Sequence, residues 1–218
     1  QHNNPKSDYT YVPEGQEQSR VVGTPTLTPQ QEADLAVKDA EAEELWQQML
    51  ELRAALESGA QFTASGQSVE ELLASCPDGD CSFAIAGVTQ YAQINDYYCG
   101  PAMLKSLVGV RGVSISQSTA ANRLGTTTAG TDWYNGSYYP VEYALDYYLG
   151  PYGANYTPVN LPGSPTSSQK SQFQSRLVAN VNNNWGIAGD AYMVPGGPHL
   201  VGHPDKTILH WFAIRGYV

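Results

Sequence analysis

One stretch constrains this chain more than any other: Gln93-Ile94-Asn95-Asp96-Tyr97-Tyr98-Cys99-Gly100-Pro101-Ala102. Proline suits the first turn of a helix, where its missing N–H costs nothing. Met103, Leu104, Leu107 and Val108 then continue at helical spacing as far as Gly109. The reading is a helix that opens at the cysteine. Its dipole puts partial positive charge on Cys99, a setting that lowers a thiol pKa from its ordinary value of about 8.5. An activated thiol also needs a base and donors for a developing oxyanion. Gln93, six residues upstream, has an amide of the right kind, and each such donor is worth about 2.7–4 kcal/mol where it acts.

Charge divides the 218 residues unevenly. Residues 1–80 hold four Lys/Arg against fifteen Asp/Glu, and residues 81–218 hold seven against six. The acidic part repels phosphate backbones and anionic surfaces, so no nucleic-acid partner is expected. No apolar run is long enough for a membrane span. The second part is poor in charge and rich in Tyr, Ser, Asn, Gly and Thr, a composition associated with secreted proteins. A sequence that opens on Gln1 rather than Met fits the removal of a leader. Three cysteines leave an odd one. Cys76-Pro77-Asp78-Gly79-Asp80-Cys81 sets a turn between its two cysteines, so a Cys76–Cys81 disulfide is expected and Cys99 is left over.

Three regions are expected. Residues 1–27 carry Pro5, Pro13 and Pro25 without periodicity and read as an extended or disordered arm. Residues 28–80 read as an acidic helical extension. Thr28-Pro29-Gln30-Gln31 has the capping-box pattern, and a helix follows to about Ser58, before Gly59. Leu35, Ala42, Met49 and Leu56, with Leu45 and Leu52 between them, draw a narrow apolar seam that needs a partner surface. Such a helix is a candidate pro-segment. A short helix through Leu72 and Leu73 follows Ser68.

Residues 81–218 read as the main domain. Phe83 to Tyr91 reads as an extended segment and Val113-Ser114-Ile115 as strand-like, with a short helix after it ending at Gly125. Further helices are expected from Pro140 to Leu149 and from Ser168 to Asn182, and strands from Ile187 to Val194 and from Ile208 to Tyr217. Eleven of the fifteen tyrosines lie between Tyr91 and Tyr156. Such rings either line clefts or simply pack. Tyr97, Tyr98, Trp133 and Trp211 are the cleft candidates.

Three histidines compete for the role of base. His210 opens a buried strand and is fixed in orientation, whereas His199 and His203 sit among Pro and Gly. His199 and His203 have the spacing of two zinc ligands on a helix, but Gly202 and Pro204 spoil that helix and no acidic general base lies between them. No metal and no cofactor are expected.

Gln93, Cys99-Gly100-Pro101-Ala102 and the later His210-Trp211 strand ending Gly216-Tyr217 resemble the papain-like cysteine peptidases that process bacteriocin leaders after a double glycine, and their secreted Gram-positive relatives. The resemblance covers roughly residues 88–218. It implies an α+β, papain-like fold in which the Cys-bearing helix packs on an antiparallel sheet carrying the histidine. It also implies Cys99 as nucleophile, His210 as general acid/base, Gln93 as oxyanion donor, and a peptide or protein substrate. That family sets an Asp or Asn on the strand after the histidine strand, and this sequence ends at Val218 before any such strand. Asp205 and Asp190 are the orienting candidates within it. The expectation is that a second chain or a removed C-terminal segment completes the sheet. Two alternatives stay open: a catalytically inactive secreted binding or structural module of the same fold, and a thiol-dependent acyltransferase.

Overall fold

The computed structural model describes residues 26–74, 83–85 and 88–217. Those residues fall into two compact units. One is built from Gly87–Val159 and Ile187–Ile214, and the other from Thr26–Ala86, Asn160–Gly186 and Arg215–Val218. Helices and short antiparallel ladders mix in the chain, which makes it an α+β protein. The Cys76–Cys81 pair, the arm over residues 1–25 and much of the segment after Cys81 lie outside the described residues.

The unit that begins at Thr26 is organised by helix α1, Pro29–Ser58. Its start follows the expected chemistry: the Thr28 side chain accepts from the Gln31 N–H while the Gln31 side chain returns to the Thr28 N–H. It stops at Gly59, whose φ of 69° is the left-handed conformation that glycine adopts without cost. The seam follows the heptads except at its C-terminal end. Ala42, Leu52 and Ala55 are buried, whereas Leu56 is exposed. Its partner is a later helix, Ser167–Asn182 (called α6 below), which carries its own Thr166/Gln169 capping box. Arg176 grips Asp39 with two hydrogen bonds of 2.6 and 2.7 Å, and Gln172 donates to the same carboxylate at 3.1 Å. A short helix α2, Val69–Ala74, follows α1. A two-residue strand β1, Phe83–Ala84, pairs antiparallel with Gly216–Tyr217 near the C-terminus (β4). The Tyr217 hydroxyl donates to Asn182 Oδ1 at 2.6 Å.

The other unit holds the cysteine. Helix α3, Cys99–Gly109, is apolar nearly all round, and Leu104 and Val108 are fully enclosed. Each such side chain contributes about 1.5–3 kcal/mol relative to exposure. Against α3 pack α4, Gln117–Leu124, and α5, Pro140–Leu149. It also packs on a two-stranded antiparallel ribbon of β2, Ile187–Met193, and β3, Ile208–Ile214. The ribbon register is continuous, with Asp190 opposite Trp211 and Ala191 opposite His210.

Two expected extended segments form no long ladder. Within Phe83 to Tyr91, only Phe83–Ala84 pairs as a strand. Val113 to Ile115 runs without regular structure into Ser116, the N-cap of α4, which accepts from the Thr119 N–H.

Candidate active site around Cys99

Cys99 is the first residue of α3 and is only 5% exposed. The turn before it is self-contained: Asn95 Oδ1 accepts from the Tyr97 N–H at 3.2 Å, and Asn95 O accepts from the Tyr98 N–H at 3.3 Å. Tyr98, the N-cap, offers no side-chain cap, and Pro101 has no N–H to satisfy. The upstream segment is held by a residue that motif reading passes over. Gln117 is 6% exposed, and its side chain donates to Ala92 O at 2.7 Å while accepting from the Ile94 N–H at 3.1 Å. A single amide thus takes both backbone groups flanking Gln93, as a neighbouring strand would. The only hint in the sequence is a glutamine directly after the N-cap serine.

Gly100 is required by packing. A Cβ there would stand 2.3 Å from Thr131 Oγ1 and 2.8 Å from Thr131 Cβ, closer than atoms approach. Thr131 is itself fixed from two sides. Its hydroxyl pairs with that of Thr126 at 2.8 Å, and its carbonyl accepts from Trp211 Nε1 at 3.0 Å. The buried indole therefore has its hydrogen-bond partner.

A narrow cavity opens on Cys99, lined also by Gly130, Thr131, Trp133, Asp190, Leu209 and Trp211. It brings together Cys99, Asp190, Trp133 and Trp211 from among the expected site residues. Trp133 stacks on Trp211, with ring centroids 5.9 Å apart and planes within 20°. Tyr97 and Tyr98 meet edge to face at 5.2 Å on the turn before α3 and do not line the cavity. Gln93 donates one amide hydrogen to Asn95 O at 2.9 Å, within its own loop.

His210 lies between two lining residues, Leu209 and Trp211. The His210 ring lies against His203 with centroids 4.9 Å apart. Burial, helped by His203, lowers the His210 pKa from 6.5 to about 4. That shift favours the neutral imidazole. Burial lowers His203 as well. Asp205 is engaged elsewhere: it accepts from the Gly196 N–H at 2.7 Å and stands 3.7 Å from His199 Nε2. His199 contacts the carbonyls of Gly197 and Lys206 at 2.8 and 3.2 Å. Among the described residues, no group of three or more His, Cys, Asp or Glu is placed to hold a metal ion. Nor is any helix among them long and apolar enough to cross a membrane.

A buried thiol at a helix start, walled by a strand that carries a histidine, defines the class: it has the parts of a thiol peptidase site. The family follows from comparison with known proteins. A family model described as the Peptidase_C39 like family matches residues 85–218, more than half of the chain, and the chain belongs to that family. It is a cysteine peptidase family, with a peptide as the implied substrate. No curated protein and no solved structure matches the chain.

Proposed function

We propose that this chain is a cysteine peptidase in which Cys99 is the nucleophile and His210 the general acid/base. The observation that carries the reading is the family match over residues 85–218, together with the seat of Cys99 at the N-terminus of α3 beside the histidine strand. In the reaction, the neutral His210 takes the thiol proton and the sulfur attacks an amide carbonyl. The tetrahedral oxygen is held by the Cys99 N–H and the Gln93 amide. His210 then gives its proton to the leaving amine, and water releases the thioester. The spread of Tyr, Asn and Ser over a weakly charged domain supports secretion as the setting.

One observation favours a second reading, an inactive binding module: the His210 ring rests against His203, while Asp190 shares the cavity with the thiol. A chemical test separates the two. Wild type, Cys99→Ser and His210→Ala are incubated with iodoacetamide near neutral pH and with fluorogenic peptides. The peptidase reading expects rapid labelling at Cys99, slowed in His210→Ala, and peptide cleavage lost in both variants. A Cys99 that labels no faster than free cysteine, in a chain that cleaves no peptide, would leave the binding module standing.

A further inference from the structure

Cys99 is only 5% exposed and lies under a narrow cavity. Access of a bulky reactant to the sulfur therefore depends on how the walls of that cavity are held.

The walls differ in how they are held. Cys99 and Gly100 belong to a helix buried along most of its length, and Thr131 is pressed against the Gly100 backbone. Thr131 is further tied by its bonds to Thr126 and Trp211. Trp211, Leu209 and Asp190 lie in the β2–β3 ladder, with Trp211 only 4% exposed. Trp133 is placed otherwise. It stands in the loop between Thr131 and the Asn135 turn, outside helix and strand, and is half-buried. That turn is closed by Asn135 Oδ1, which accepts from the Ser137 and Tyr138 N–H groups. The Trp133 ring is held by two faces: stacking on Trp211, and an edge contact with Tyr139 at 5.7 Å. Ring contacts of this kind are soft, each shifting an equilibrium by roughly two- to tenfold.

We propose that Trp133 is the lid of this site. It covers Cys99 by stacking on Trp211, and a bulky reactant reaches the sulfur only when the Trp133 ring leaves that stack. The functional meaning of the lid rests on Cys99 being the nucleophile, but the contact itself does not, so the test needs no turnover.

The test follows labelling of Cys99 in the full chain by mass spectrometry of the peptide that contains it. Two reagents are used at one pH: iodoacetamide, which is small, and fluorescein maleimide, which is bulky. Each rate is divided by that of free cysteine with the same reagent. In wild type the maleimide ratio should fall well below the iodoacetamide ratio. Trp133→Ala should raise the maleimide rate by about tenfold or more, the combined weight of two ring contacts, and the iodoacetamide rate by less. Tyr139→Ala keeps Trp133 and removes the contact at its edge, so it should shift the maleimide rate the same way by a smaller factor. This second variant serves where Trp133→Ala does not fold. Equal maleimide rates in wild type and both variants would overturn the proposal, as would an equal rise for both reagents. A lid-limited Cys99 in a chain that cleaves no peptide would sustain the lid and remove the peptidase reading.

Discussion

The α1–α6 pair and the surroundings of Cys99 solve the same problem, fixing one element against another, by opposite means. The helix pair is clamped by a charged grip on its flank, Arg176 on Asp39, with a thin seam of Ala42, Leu52 and Ala55 on α1. The cysteine helix is clamped by neutral groups: the buried Gln117 on the part-buried backbone beside Gln93, and the buried Thr131 on the backbone of Gly100. A charged, partly exposed grip tolerates small displacements and is weakened by salt. Buried neutral bonds and backbone contact do not tolerate displacement, and a nucleophile misplaced by about 1 Å loses most of its advantage. The stiffer device stands beside Cys99.

The sharpest break of this comparison is Cys99→Ser, which should remove peptide cleavage and leave the unfolding temperature nearly unchanged. A cleaving Cys99→Ser protein would place the chemistry elsewhere. Next in size is Gln117→Ala, which strands Ala92 O and the Ile94 N–H. At about 0.5–1.5 kcal/mol for each hydrogen bond lost, it should lower stability in urea titration and slow peptide cleavage as the Gln93 segment loosens. Retained activity would show that the segment is positioned by other contacts.

Gly100→Ala should cost about 1–3 kcal/mol, because the new methyl meets Thr131. Pairing it with Thr131→Gly should recover part of that loss, and a double variant no better than the single one would break the argument. The His210 prediction is one of pH. Its folded pKa of about 4 lies below the unfolded 6.5, so both states are neutral above pH 6.5 and the group then has no effect. Between about pH 6.5 and 4 the unfolded chain takes up a proton that the folded chain resists, and stability falls as pH falls. His210→Gln should flatten that part of the curve of unfolding temperature against pH. The smallest effect belongs to the other region: Arg176→Ala should cost about 1 kcal/mol, be milder in high salt, and leave Cys99 labelling unchanged.

Much of the frame was legible in the sequence. The capping boxes at Thr28 and Thr166, the helix start at Cys99-Gly100-Pro101 and the strand around His210 are local signals, each written within a few residues. What could not be read is relational. Gln117 clamps backbone more than twenty positions upstream, and Thr131 faces Gly100 across a loop. Neither residue type advertises such a role, since Gln and Thr on a helix or loop are ordinarily solvated. The α1 seam was legible except at its end: Ala42 and Leu52 are buried as the heptad spacing predicts, while Leu56 stays in solvent. The site itself was half legible. Cys99 with Trp133, Trp211 and Asp190 converge as candidate types, but the contact of the His210 ring with His203 comes from a loop that no motif encodes.

The helix pair has one further property. Asp39 meets Arg176 midway along α6, and the Tyr217 hydroxyl contacts both Met49 and Asn182 at the end of α6. The two helices therefore run in the same direction. Their amino ends lie on one side and their carboxyl ends on the other, so each contributes about half a negative charge at its C-terminal pole, and neither has a basic residue in its last turn. No basic side chain of either last turn meets that pole, so screening by dissolved cations favours the pair.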